Sequence, residues 1–241
     1  VTPTVAWSGS IDIGNGVTLY VRCAAGTGPA VILDADLNGD MDEFDLVQPK
    51  LPATMRACAY DRAGEGYSSP PDRSGRTSAD IANELHRLLS AAGLEGPFVF
   101  VGNHFGGLFD LRYAAMYPRG VAGLVLLDPM LPTAFKRFHA DCAGIPSEPN
   151  NEGINVCATL NEAASASLKP PDVPLVVISA ADNPGWSNDE FAVWIQSHRD
   201  LAASVSHGRW ESVVSDIVIP REQANATVEA IEEVATAAVG P

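Results

Sequence analysis

Basic residues are scarce in this chain: 15 Lys and Arg stand against 30 Asp and Glu, a formal charge of −15 at pH 7. No block of Lys or Arg offsets that field, so phosphate backbones and anionic membrane surfaces are repelled and nucleic acid is not an expected partner. Long apolar runs are missing as well. None approaches the roughly 18 residues needed to cross a bilayer, so no membrane partner is expected. The opening stretch VTPTVAWSGS has neither a basic n-region nor a Met, and reads as a soluble chain compatible with the mature remainder of a longer precursor. Cysteine is limited to Cys23, Cys58, Cys142 and Cys157, with no C-x-x-C pair and no Cys/His cluster at finger spacing. That excludes a structural zinc site.

What is present suits one globular unit. A chain of 241 residues with 46% hydrophobic content can bury a sizeable core, and the expectation is a single domain over 1–241. Residues 17–23, 30–35, 55–61, 98–102, 123–128, 174–180 and 209–215 read as strands, several of them continuous apolar runs. Between them, Ile81, Leu85, Leu88, Leu89 and Ala92 share one helical face, opened by a Thr77–Asp80 capping box and closed at Gly93. Further helices are expected over 105–117 and 228–239. Strand and helix in alternation predict an α/β fold with a doubly wound, mostly parallel sheet. Residues 130–172, rich in Pro, Asn, Ser and Ala, interrupt the rhythm and read as an insertion over the sheet. Cys142 and Cys157 flank a loop-like stretch of it, where a disulfide would be a useful staple and would favour an extracytoplasmic or secreted location. Cys23 and Cys58 read equally well as a second pair or as free buried thiols.

The stretch FVFVGNHFGG, residues 98–107, has the outline of a nucleophile elbow, in which a sharp strand-to-helix turn exposes its central side chain. Together with CAYDRAGEGYS and the sequence that follows the elbow to LVLLDP, it resembles the core of the α/β-hydrolase superfamily, near its esterase and epoxide-hydrolase-like members. The resemblance covers most of 10–130, resumes at VPLVVISAADNPGW and the last strand and helix, and implies an α/β-hydrolase fold with 130–172 as a short cap. It also implies a Ser, an acid and a His in that chain order. Here the centre of the elbow is His104. Asp182, after the strand PLVVISA, stands where the family's acid is expected, but Ile217 occupies the place of the base. Asp36 stands where relatives carry small residues beside the oxyanion hole, and a charge there opposes the developing anion of acyl transfer.

The stretch DADLNGDMDEFD also matches an EF-hand loop, with Asp34, Asp36, Asn38, Gly39, Asp40, Asp42 and Asp45 at positions 1, 3, 5, 6, 7, 9 and 12. A strand precedes it where a helix is required, and position 12 is not Glu. A solvated acidic loop is the simpler reading, and no metal site is assigned.

An elbow aims its central residue into the pocket, and a histidine oriented there by a carboxylate is a proton-transfer device that needs no covalent intermediate. Drift from serine explains His104 poorly, since no single-base change connects the codons. The expectation is a cofactor-free, non-hydrolytic enzyme, a lyase, isomerase or cyclase, acting on a small and mostly apolar metabolite. In it His104 is general acid and base, and Asp36 or Asp182 orients the imidazole. The N–H groups of Phe105 and Leu37 anchor a carbonyl, and Asn103 and Ile217 line the substrate site. A catalytically dead ligand-binding relative and a hydrolase with an atypical triad are the alternatives.

Overall fold

A computed structural model describes residues 6–132, 134, 150–166, 168–181 and 187–239. Eight strands run through it: β1 (Trp7–Asp12), β2 (Thr18–Cys23), β3 (Ala30–Asp34), β4 (Arg56–Tyr60), β5 (Phe98–Asn103), β6 (Val121–Leu127), β7 (Leu175–Ala180) and β8 (Gly208–Val213). They form one sheet in the order β1-β2-β4-β3-β5-β6-β7-β8. The pairs β1–β2 and β2–β4 are antiparallel and every later pair is parallel. Seven strands match the stretches read as strands in the sequence. The eighth, β1, is an edge strand of half-buried and exposed residues whose Ser-Gly-Ser interior carries no core signal.

β3, β4 and β5 are buried along their whole length because both faces of the sheet are covered. Side chains alternate by strand period. Ile32, Phe100, Leu124 and Val177 pack with Leu85 and Leu88 of α1 (Ser78–Ala91) and Leu111 of α2 (Phe105–Met116). Val31, Val99, Val125 and Val176 meet Ile231 and Val234 of the C-terminal helix Ala224–Val239 on the other face. The capping box of α1 is formed, with the Thr77 amide donating to Asp80 Oδ2 at 2.9 Å, and Gly93 follows the helix at φ 65°. Three helices carry no signal in the sequence: α3 (Val156–Ser165), inside the expected insertion, α4 (Asn188–Ala202), which Ser187 and Glu190 cap, and the single turn Ile219–Glu222.

Cys23 and Cys58 face each other across β2 and β4, 4.0 Å apart at Cα, and are joined as a disulfide, so the free-thiol alternative is set aside. Cys157 is also disulfide-bonded, whereas Cys142, its expected partner, lies outside the described residues. Among the described residues no helix is long and apolar enough to cross a membrane. The parallel arrangement brings the carboxyl ends of β3, β5 and β6 side by side, the edge at which open α/β sheets place their ligands.

Candidate active site

His104 follows β5 at φ 45° and ψ −103°, a left-handed backbone unfavourable for a residue with a Cβ. Its surroundings enforce the turn. The His104 amide donates to the Leu127 carbonyl at 2.8 Å, and its carbonyl accepts from Met130 at 2.9 Å. A Cβ on Gly102 would strike the backbone of Gly106 and Gly107, and one on Gly106 would strike that of Asp34 and Ala35. Glycine is therefore required at both elbow positions. The elbow backbone is intact although its central residue is not serine.

Asp36 reaches over this turn from the loop after β3. One oxygen, Oδ1, accepts three hydrogen bonds: from the Leu37 amide at 2.7 Å, the Phe105 amide at 3.0 Å and His104 Nδ1 at 3.0 Å. The two amides expected to hold a substrate carbonyl are thus occupied by a carboxylate of the chain itself. Their expected role is corrected accordingly, because both donors already serve a stronger, charged acceptor. The His104 and Asp36 side chains are 14% and 20% exposed. Burial alone would lower the imidazole, but the charge and hydrogen bond of Asp36, helped by Asp128 and Glu43, raise His104 above its ordinary value. Burial alone would raise Asp36, yet His104 and the two amides hold it below the usual carboxylate range. Both shifts act in the direction that favours imidazolium paired with carboxylate.

Charged groups also grip the Asp36 backbone. Its amide donates to Glu43 Oε2 at 3.1 Å, and its carbonyl accepts from Arg62, which also donates to the Ala35 carbonyl at 2.8 Å. Arg62 is 2% exposed and pairs with Asp34 and with both oxygens of the fully buried Glu152, at 2.6 and 3.0 Å. Glu152 Oε1 also accepts from the Asn38 amide at 2.7 Å. Its segment is fastened beside Arg76, whose amide donates to Gly153 at 3.0 Å. Burial, reinforced by the charge of Asp36, pushes Glu43 up to about 7.

The remaining expected residues separate. Leu37 and Phe105 join Met130, Ile154, Leu160 and Trp194 in an apolar cluster over the elbow. Asn103 is buried, and its Nδ2 donates to the Ile217 carbonyl at 2.9 Å, which ties the loop after β8 to the elbow. Ile217 contributes only that carbonyl. Asp182 lies outside the described residues. The EF-hand-like carboxylates diverge: Asp34 goes to Arg62, Asp36 to His104, and Asp42 and Asp45 to Arg22. Among the described residues no group of three His, Cys, Asp or Glu could hold a metal ion.

Sequence reasoning missed Glu43, Arg62, Asp128 and Glu152. Arg62 was visible only as part of the Asp-Arg-x-Gly turn, and Asp128 only as the end of an apolar strand. Glu152, within a Pro- and Asn-rich stretch, carried no signal.

The profile of the alpha/beta hydrolase fold matches residues 29–148. A protein of Gibberella zeae described as an AB hydrolase superfamily protein is 31% identical over 103 residues, 42% of this chain and 32% of that one. YqjL of Bacillus subtilis (strain 168) is 23% identical over 222 residues, 85% of this chain and 83% of its own. The chain spans about a third of the first of these relatives and most of the second. Among solved structures, a hydrolase from Pseudomonas aeruginosa PA01 superimposes with a TM-score of 0.67 at 19% identity, over 97% of this chain and 98% of that one. Sheet order, the strained elbow after β5 and these likenesses agree: the chain has the α/β-hydrolase fold, and residues 29–148 match that family's profile.

Proposed function

We propose that this protein is a cofactor-free, non-hydrolytic enzyme, a lyase, isomerase or cyclase, acting on a small, mostly apolar metabolite with His104 as general acid and base. The observation that carries the reading is the Asp36 carboxylate seated on the amides of Leu37 and Phe105. Acyl transfer needs those donors for an oxyanion, and a resident anion opposes that charge. With Asp36 as counter-ion, the imidazole enters the cycle protonated. Its Nε2–H is the proton available to a substrate heteroatom, and the neutral ring left behind can take a proton back from carbon or oxygen, which closes the cycle without a covalent adduct. Asp36 keeps Nδ1 protonated throughout and orients the ring. The apolar cluster of Leu37, Phe105, Met130 and Trp194 favours a substrate of the same character.

The names of the relatives favour a second reading, hydrolysis by an atypical triad. The two separate cleanly. A panel of small apolar ketones, enols and lactones incubated in D2O should show deuterium uptake, isomerisation or ring closure with the native protein and not with His104→Ala. Turnover of p-nitrophenyl esters with a covalent fluorophosphonate adduct on a serine would overturn the proposal. Binding without any turnover would leave only a ligand-binding role.

A further inference from the structure

The strand pairs Asp34↔Gly102 and Leu127↔Asn103, continued one or two residues outward, set Asp36, His104 and Asp128 in one row along the top of the sheet. Because β5 lies between β3 and β6, His104 is placed in this row between an Asp following each neighbouring strand. His104 and Asp128 are both non-glycine residues in the left-handed region, at φ 45° and 43°. The hydrogen bonds from the His104 amide to Leu127 and from the Met130 amide to His104 lock the two turns together around Asp128. Two strained residues side by side are a feature that the surrounding structure must enforce.

The Asp128 carboxylate is fully buried. Its Oδ1 accepts from the Ala180 amide at 3.2 Å and from the indole of Trp194 at 3.1 Å, whose ring centre lies 6.2 Å from that of His104. Among the described residues its Oδ2 has no hydrogen-bond partner. A buried carboxylate in that condition is costly unless positive charge stands near it. His198 does not supply it, although its Nδ1 is 3.7 Å from Oδ1. Ser179 Oγ accepts from Trp210 at 2.8 Å and lies 2.7 Å from His198 Nδ1, while His198 Nε2 faces the Pro129 carbonyl at 2.9 Å. Burial lowers His198, which favours its neutral form. Arg62 is committed to Asp34 and Glu152. The charged groups that act on His104 are Asp36 in contact, Asp128 from the next strand, and Glu43 behind Asp36.

We propose that Asp128 is a second counter-ion of the His104 imidazolium, a positioning residue that acts from the β6 side as Asp36 acts from the β3 side. This rests on proton transfer by His104, and it explains how that ring stays charged although it is buried. Asp36 is tied down by two amides, and Asp128 adds charge without competing for Nδ1.

Asp128→Asn keeps an oxygen for Trp194 and Ala180 and removes only the charge. Imidazole 15N NMR should show the His104 titration midpoint moving to lower pH in this variant, with the alkaline limb of turnover moving the same way and Asp128→Glu restoring both. Turnover at pH 7.5 should fall about tenfold with KM little changed. An unchanged His104 midpoint in an Asp128→Asn protein with a native urea midpoint overturns the proposal. Where that variant does not fold, the Asp128 carboxyl 13C signal of the native protein should inflect at the His104 midpoint, and a flat curve overturns it equally. Activity retained by His104→Ala defeats the proton-transfer reading alone, because the His104 midpoint is read without substrate.

Discussion

The tip of β5 and the loop after β8 lie next to each other and are built in opposite ways. At the first, a strained backbone carries an imidazole, Asp36 fills the amide pair, and Glu43, Arg62, Asp34 and Glu152 brace the loop behind it, nearly all of them buried. At the second, Ile217 gives only a backbone carbonyl to Asn103, Val214 is 81% exposed, and Asp216 turns back to receive the Val218 amide. Among the described residues, buried ionisable side chains are concentrated on the β3, β5 and β6 side, and the loop after β8 contributes a backbone strut. A decayed site would be expected to lose its costly groups first, because a buried charge without a purpose is removed at a gain in stability. The strand ends at β3 and β5 instead carry more buried charge than an oxyanion hole requires.

That contrast can be broken or sharpened by substitution. The largest effect is expected at the elbow. His104→Ala should lower kcat by about 10²- to 10⁴-fold with little change in KM, measured on the product identified by the D2O panel. Next comes the brace. Glu152→Gln leaves Arg62 half-paired inside the protein, and its urea midpoint should report a loss of about 3–5 kcal/mol, the range for breaking a buried ion pair.

Glu43 gives an effect of the opposite sign, set by pH. Its folded value near 7 stands above the ordinary 4.5, so the folded state holds its proton longer than the unfolded chain does. Stability therefore falls as pH rises from 4.5 to about 7, and the full cost is present above that. Glu43→Gln still offers an oxygen to the Asp36 amide. It should be more stable than the native protein at pH 8, by up to about 3 kcal/mol, and no more stable at pH 4.5. Smallest of all, Val214→Ser in the β8 loop should change the urea midpoint by less than about 0.5 kcal/mol.

The sheet was legible in the sequence because its strands are long apolar runs and because Thr77, Asp80 and Gly93 mark the limits of α1. Trp7–Asp12 was not, since an edge strand with one half-buried face needs no apolar run. The elbow was legible through its glycines, and Asp36 through its departure from the small residues expected there. What Asp36 does with the amides was not legible: a carboxylate beside an oxyanion hole and a carboxylate inside it have the same sequence. Arg62 and Glu152 are 90 residues apart and meet only because the segment around Glu152 runs beside Arg76. Local pattern carries no trace of that contact. Asp128 ends a strand that reads as pure core, and only strand register puts it next to His104.

The central claim is that a resident carboxylate holds His104 as an imidazolium in the amide pair. It is tested most directly by 15N NMR titration of the His104 ring in the native protein and in Asp36→Asn. The expected result is a native midpoint above the ordinary 6.5, with Nδ1 protonated on both sides of it, and a midpoint shifted to lower pH when the Asp36 charge is removed. A native ring that titrates at or below 6.5 and does not respond to Asp36→Asn would contradict the account.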